Sequence, residues 1–186
     1  KLESLFARRP NAVKFWRNVL LAIIPAGLLG LVLDKSFENY AKPGVVAVAL
    51  ILGGFVLWWA DRRPAVNANK EKVELEHIST SQALGVGLAQ CFALVPGVSR
   101  SGATIVGGLL GGLNRLTATT FSFYTGIPLL LAASAYKLAK DHSELSSVSG
   151  GSMGLLLGTI ASFIAGLLAV SWLLKYISSH NLRIFA

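Results

Sequence analysis

Long apolar runs without a formal charge dominate this chain. Asn18–Leu33, Pro43–Ala60 and Thr117–Tyr136 contain no charged residue, and Ser152–Leu174 is the longest run of the kind. A helix rises about 1.5 Å per residue, so roughly 20 apolar residues cross the ~30 Å hydrocarbon core of a bilayer. The segments 18–33, 43–60, 117–136 and 152–174 are therefore expected to be membrane-crossing helices. A fifth apolar region, 79–113, is broken at Pro96-Gly97. Each of its halves is too short to span. Helices over 79–95 and 101–113, joined by a polar loop, read as a re-entrant hairpin whose tip lies inside the bilayer; a single kinked crossing is the alternative.

Composition sharpens this picture. The 186 residues are 53% hydrophobic and 14% charged, with a mean hydropathy of +0.60, against about 25% charged residues in an ordinary soluble domain. Disorder, coiled coil and collagen are excluded. A soluble nucleic-acid binder is disfavoured as well, because the basic residues lie in clusters between apolar stretches. The expected class is an all-α, polytopic membrane protein forming one transmembrane domain over 1–186. Cys91, the one cysteine, has no internal disulfide partner. The sequence starts at Lys1 and Met153 is its only methionine, so the chain reads as the C-terminal part of a longer protein whose N-terminal part is a partner it lacks.

The net charge of +8 is mostly topological. With the N-terminus on the cytoplasmic side and 79–113 entering and leaving on that same side, the cytoplasmic face holds Lys1, Arg8, Arg9, Lys14, Arg17, Arg62, Arg63, Lys70, Lys72, Arg115, Lys175 and Arg183. The opposite face holds Lys35, Lys42, Lys137 and Lys140. This is the bias of the positive-inside rule. All nine acidic residues fall in expected loops or termini, Asp61 among them. The one remaining cation is Arg100, in the hairpin loop, with no carboxylate of this chain expected at its depth. Gly107/Gly111, Gly108/Gly112 and Gly154/Gly158 are small-x-x-x-small pairs, a packing signal.

An arginine at bilayer depth costs roughly 2.5–3.5 kcal/mol on insertion scales and normally faces a wet cavity, a partner or an anion. In Pro96-Gly97-Val98-Ser99-Arg100-Ser101-Gly102-Ala103-Thr104, Ser101 is the expected N-cap of the second half-helix. The N–H groups of Gly102, Ala103 and Thr104 would then be free. Those amides, the hydroxyls of Ser99, Ser101 and Thr104, and the planar guanidinium suit an anion, phosphate above all. An arginine paired with backbone carbonyls, or with a carboxylate outside these residues, is the alternative. Known phosphate loops do not fit: the Walker lysine is absent, Cys91 lies nine residues before Arg100, and the position six residues after it is Val106. His77, His142 and His180 are far apart and read as surface residues.

Gln90–Ile105, with its core Pro96-Gly97-Val98-Ser99-Arg100-Ser101-Gly102-Ala103-Thr104, resembles the second signature of the bacterial undecaprenyl-diphosphate phosphatases, the bacitracin-resistance family. Ile24-Pro25-Ala26, Phe121-Ser122-Phe123 and Ile127-Pro128 add to the similarity. The resemblance implies a multi-pass enzyme of the bacterial inner membrane, with an inverted repeat of two re-entrant hairpins and an active site open to the periplasm. It implies an isoprenoid diphosphate as substrate, hydrolysed to recycle the carrier lipid for cell-wall synthesis, and a divalent metal such as Mg or Ca. A homodimer is a further partner consistent with it. Arg100 and Ser99 are carried over as catalytic residues, and Ser101, Gly102, Ala103 and Thr104 as the phosphate-binding set. The family's first signature, Glu-x-x-x-Glu followed by Pro-Val-Ser-Ser-x-Gly-His, has no match in these residues, and Thr120 stands where the family often has Glu. No metal ligand is therefore assigned here, and these residues alone are expected to be inactive. A transporter or flippase of a phosphorylated lipid or other anion, built on the same broken helix, and a non-catalytic membrane scaffold are the competing functions.

Overall fold

The computed structural model describes residues 10–38, 41–62, 75–140, 151–180 and 182–186. Among these residues the chain is all-α: α1 (Pro10–Glu38), α2 (Pro43–Asp61), α3 (Thr80–Cys91), α4 (Arg100–Leu110), α5 (Arg115–Lys140) and α6 (Gly151–Ser179), with short 3-10 turns at Leu75–His77, Phe92–Leu94 and Leu182–Phe185. Four helices, α1, α2, α5 and α6, are long and apolar enough to cross a membrane. Each contains one of the four apolar runs and extends beyond it, because the backbone ladder does not stop where the apolar side chains do. His142 and residues 63–74 lie outside the described residues.

The fifth region forms two short helices, and their ends are fixed locally. Ser79 opens α3 with a capping box, its Oγ accepting from the Gln82 N–H at 3.2 Å while the Ser79 N–H donates to Gln82 Oε1 at 2.9 Å. The Gln82 amide also donates to the Gly111 carbonyl at 2.9 Å. The start of α3 therefore lies beside the end of α4, and the two helices run antiparallel. Gly107 permits their contact, since a Cβ there would lie 2.6 Å from that of Ala89. Chain reversal after α4 follows a Schellman pattern at Gly112 (φ +84°), with Leu113 N–H donating to Gly108 O at 2.9 Å and Gly112 N–H to Leu109 O at 3.1 Å. Asn114 then caps α5 by accepting from the Thr117 N–H at 2.7 Å.

Three long helices hold this hairpin. Near its base, Asn18 of α1 donates to the Ile78 carbonyl at 2.8 Å and Arg17 to the Thr80 hydroxyl at 3.0 Å. Further along, Gly87 meets Ala22 and Leu94 reaches Gly30, so α1 and α3 run parallel. The tip rests on α2. Gly97 has φ +95°, and a Cβ on it would lie 2.6 Å from the Val46 carbonyl oxygen, so its turn requires glycine twice over. On the third side, Gly108 packs on Ala118 of α5. Phe15 joins α1 to α5 through edge-on contacts with Tyr124 (5.1 Å) and Phe121 (6.2 Å).

Two expectations need correction. Asp61 is not a loop residue: it ends α2, is fully buried, and pairs with Arg115 at the start of α5. An isolated carboxylate after an apolar run looks like an interfacial loop residue, and its partner stands 54 positions away. The small-residue pairs are only partly packing sites. Gly107 and Gly108 face α3 and α5 respectively, whereas Gly112 and Gly158 have no neighbour where a Cβ would stand. Most of α6 exposes apolar side chains; it joins the core only near its end, through Leu173, Tyr176 and Ile177, followed by Leu182.

Candidate phosphate-binding site

The break at Pro96-Gly97 delivers the chain to the start of α4, and the first turn of that helix gathers the polar residues. Helix α4 begins at Arg100, one position before the expected range 101–113, and its N-cap stands two positions before the expected one. Its N-cap is Ser99, not Ser101: Ser99 is extended (φ −64°, ψ 121°) and its Oγ accepts from the Gly102 N–H at 3.2 Å. The Ala103 N–H donates to the Ser99 carbonyl at 2.9 Å. Both serines have cap chemistry, and the turn leaving Gly97 decides between them by making Ser99 the last extended residue. The correction moves the donors. The Gly102 and Ala103 amides are already bonded, and the amides that lack an intrahelical carbonyl are those of Arg100 and Ser101.

Ser99 is exposed, and its Oγ lies 3.3 Å from that of Ser101. Neither of these partners of the Ser99 hydroxyl is a base, and one of its lone pairs serves the cap.

Arg100 is partly buried, and Nη1 is enclosed without a hydrogen-bond partner. The guanidinium lies against Gly126 of α5. Gly126 is 11 residues beyond Arg115, about 16 Å along the helix. It is also close to the middle of the apolar run 117–136. Arg100 therefore lies against the middle of an apolar run, and it forms no salt bridge among the described residues. A buried donor left unpaired costs about 1–3 kcal/mol.

Thr104 faces inward, toward α5. It is fully buried, its hydroxyl lies 3.0 Å from the Arg100 carbonyl and 3.1 Å from that of Ser101, and Ser122 Oγ of α5 lies 2.6 Å away. Thr104 thus fastens the first turn of α4 to α5. Of the expected set, the structure brings Ser99, Arg100 and Ser101 together at the tip; it places Gly102 and Ala103 in the capped turn and turns Thr104 inward. Ser122 and Gly126 of α5 border this turn, against Thr104 and the Arg100 guanidinium respectively. Phe121-Ser122-Phe123 was visible as a motif, but only the packing of α5 on α4 gives its serine a task.

The donor set is a guanidinium, hydroxyls and N–H groups, which suits an anion and offers a divalent cation no carboxylate. Among the described residues, no three His, Cys, Asp or Glu side chains come together. The residues present do not fit the expected Mg or Ca ion. His180 stacks on Tyr176 with ring centres 4.4 Å apart and lies on the surface with His77, as expected.

A family model described as Bacitracin resistance protein BacA matches residues 2–186. An undecaprenyl-diphosphatase of Polaromonas naphthalenivorans is 44% identical over 191 residues, covering 100% of this chain and 68% of the relative. Another, of Bordetella pertussis, is 42% identical over 189 residues, covering 94% and 65%. A third, of Herminiimonas arsenicoxydans, is 44% identical over 187 residues, covering 100% and 66%. The chain spans about two thirds of the length of these curated relatives.

Proposed function

This chain belongs to the bacitracin resistance protein BacA family, and from that premise we propose that it carries the phosphate-binding part of an undecaprenyl-diphosphate phosphatase of the bacterial inner membrane. The observation that carries the proposal is Arg100: a cation held in a notch against the middle of the apolar run of α5, with a buried N–H donor that nothing among the described residues satisfies. A lipid diphosphate supplies both the negative charge and the membrane residence that this group requires. In the reaction, water adds to the terminal phosphorus, the anhydride P–O bond breaks, and undecaprenyl phosphate and inorganic phosphate leave. The planar fork of Arg100 takes two oxygens of the transferred phosphoryl group and stabilises the charge that builds on them. The Ser99 hydroxyl and the Arg100 and Ser101 amides donate to the remaining oxygens. Ser99 acts in this arrangement as a donor rather than a nucleophile.

The helix–loop–helix 79–113 is re-entrant in this reading, its tip opening toward the periplasm, and it forms half of an inverted repeat. Supporting this, the antiparallel α3 and α4 are each shorter than a crossing, and the Asp61–Arg115 pair ties the end of α2 to the residue that follows the hairpin. Single cysteines at Ser81 and Gly111, in a Cys91→Ala background, should be labelled from the same side of the membrane by an impermeant thiol reagent. Labelling from opposite sides would mean one kinked crossing.

Activity decides between hydrolase and carrier. The full-length protein, purified in detergent, should convert undecaprenyl diphosphate to the monophosphate with one inorganic phosphate per turnover. A transporter or flippase with the same site would bind the diphosphate and release no phosphate.

A further inference from the structure

The motif Phe121-Ser122-Phe123, and the glycine three residues after it, have no part in the chemistry above. We propose that Ser122 and Gly126 are positioning residues for Arg100: one face of α5 fixes the backbone of the arginine at position 122 and its guanidinium at position 126. The proposal rests on the reading of Arg100 as the diphosphate-binding group.

Hydrogen counting gives the first half of the argument. Thr104 has a single hydroxyl proton. It points at the Arg100 and Ser101 carbonyls, 3.0 and 3.1 Å away, which it shares. The 2.6 Å contact between Thr104 Oγ1 and Ser122 Oγ is then a bond that Ser122 donates and Thr104 accepts. A relay runs from α5 through Ser122 and Thr104 to the carbonyl of Arg100 itself. Both hydroxyl-bearing residues are buried, Ser122 at 1% exposure and Thr104 at 0%, so the bond between them is shielded from water.

Steric fit gives the second half. A Cβ built on Gly126 would collide with Cζ, Nη1 and Nη2 of Arg100. The guanidinium therefore occupies the place of the missing side chain. Gly126 has no positive φ to explain it, and glycine inside a helix is otherwise a weak choice. Serine and glycine stand four residues apart, on one face of the helix. The long, rotamer-rich arginine is thus held at its root and at its head, which reduces the freedom it must give up when it grips a phosphoryl group.

The test uses the full-length protein and phosphate release from radiolabelled prenyl diphosphate, with Gly126→Ala, Ser122→Ala and Ser122→Thr each made in the Arg100 and Arg100→Lys backgrounds. With Arg100 present, Gly126→Ala should lower kcat/KM about tenfold or more, while the melting temperature stays level or rises. Ser122→Ala should lower activity, and Ser122→Thr, which keeps the donor, should regain it. In the Arg100→Lys background Gly126→Ala should cost less than about twofold, since the slim ammonium has no fork to seat. Wild-type turnover by Gly126→Ala would overturn the proposal, as would an equal loss in both backgrounds, which is how a merely structural residue behaves. Wild-type turnover by Arg100→Lys would instead overturn the reading of the site. Should Gly126→Ala not fold, the Ser122 pair measured in both backgrounds carries the same comparison.

Discussion

Arg100→Met in the full-length protein should abolish phosphate release and raise the melting temperature. The two effects have one cause. A guanidinium whose Nη1 is buried without a partner lowers the stability of the ligand-free protein, by about 1–3 kcal/mol for the unmade bond and further, at the depth proposed above, for the charge itself. Methionine fills the notch beside Gly126 without either penalty, so an increase of a few degrees is expected in thermal unfolding. The same substitution removes the group proposed to stabilise the transferred phosphoryl, for which a loss of at least about a hundredfold is expected. Arg100→Lys separates charge from shape: it keeps the cation but loses the planar fork, and should also lose about a hundredfold in turnover. A methionine variant that is inactive and less stable would make Arg100 a structural residue. Turnover near the wild-type level in either variant would remove it from the chemistry.

How much of this was legible in the sequence depends on the range of the interaction. The four long helices follow from uninterrupted apolar runs, and the break at Pro96-Gly97 marks the hairpin tip, because both signals are local. Charge counting settles less than it promises. If 79–113 crossed once, Arg115, Lys175 and Arg183 would leave the cytoplasmic face while Lys137 and Lys140 entered it. The split of the basic residues other than Arg100 would then be eleven to five in place of twelve to four. Cap assignment failed by two residues because Ser99 and Ser101 offer the same hydroxyl, and the choice belongs to the turn at Gly97. Thr104 offers a hydroxyl like those of Ser99 and Ser101, and its place in the motif does not show which neighbour that hydroxyl meets. Asp61, Ser122 and Gly126 were beyond reach for the same reason. Their partners stand 54, 18 and 26 positions away, and no spacing rule connects them.

The Asp61–Arg115 pair yields the largest expected loss of stability, and the sign of its double variant tests the interpretation. Arg115 Nε donates to Asp61 Oδ1 and Nη2 to the Asp61 carbonyl at 2.9 Å, with the aspartate side chain at 0% exposure and the arginine at 12%. Removing either partner leaves a buried charge alone, which costs roughly 3–5 kcal/mol, far more than the ~0–1 kcal/mol of an exposed pair. Asp61→Ala and Arg115→Ala should each lower the melting temperature steeply and reduce the yield of folded protein. Asp61 Oδ2 is buried without a hydrogen bond even in the intact pair, so the pair is not an optimal stabiliser. Asp61→Leu combined with Arg115→Met should therefore recover most of what either alanine variant loses. Arg115 and the Gly126 notch are about 16 Å apart along α5, so the folded fraction of each variant should keep its turnover per molecule. Single variants that unfold at the wild-type temperature would mean that the pair is solvated and does not clamp the hairpin base. A loss of turnover in fully folded protein would mean instead that the clamp sets the geometry at Arg100, coupled through the rail of α5.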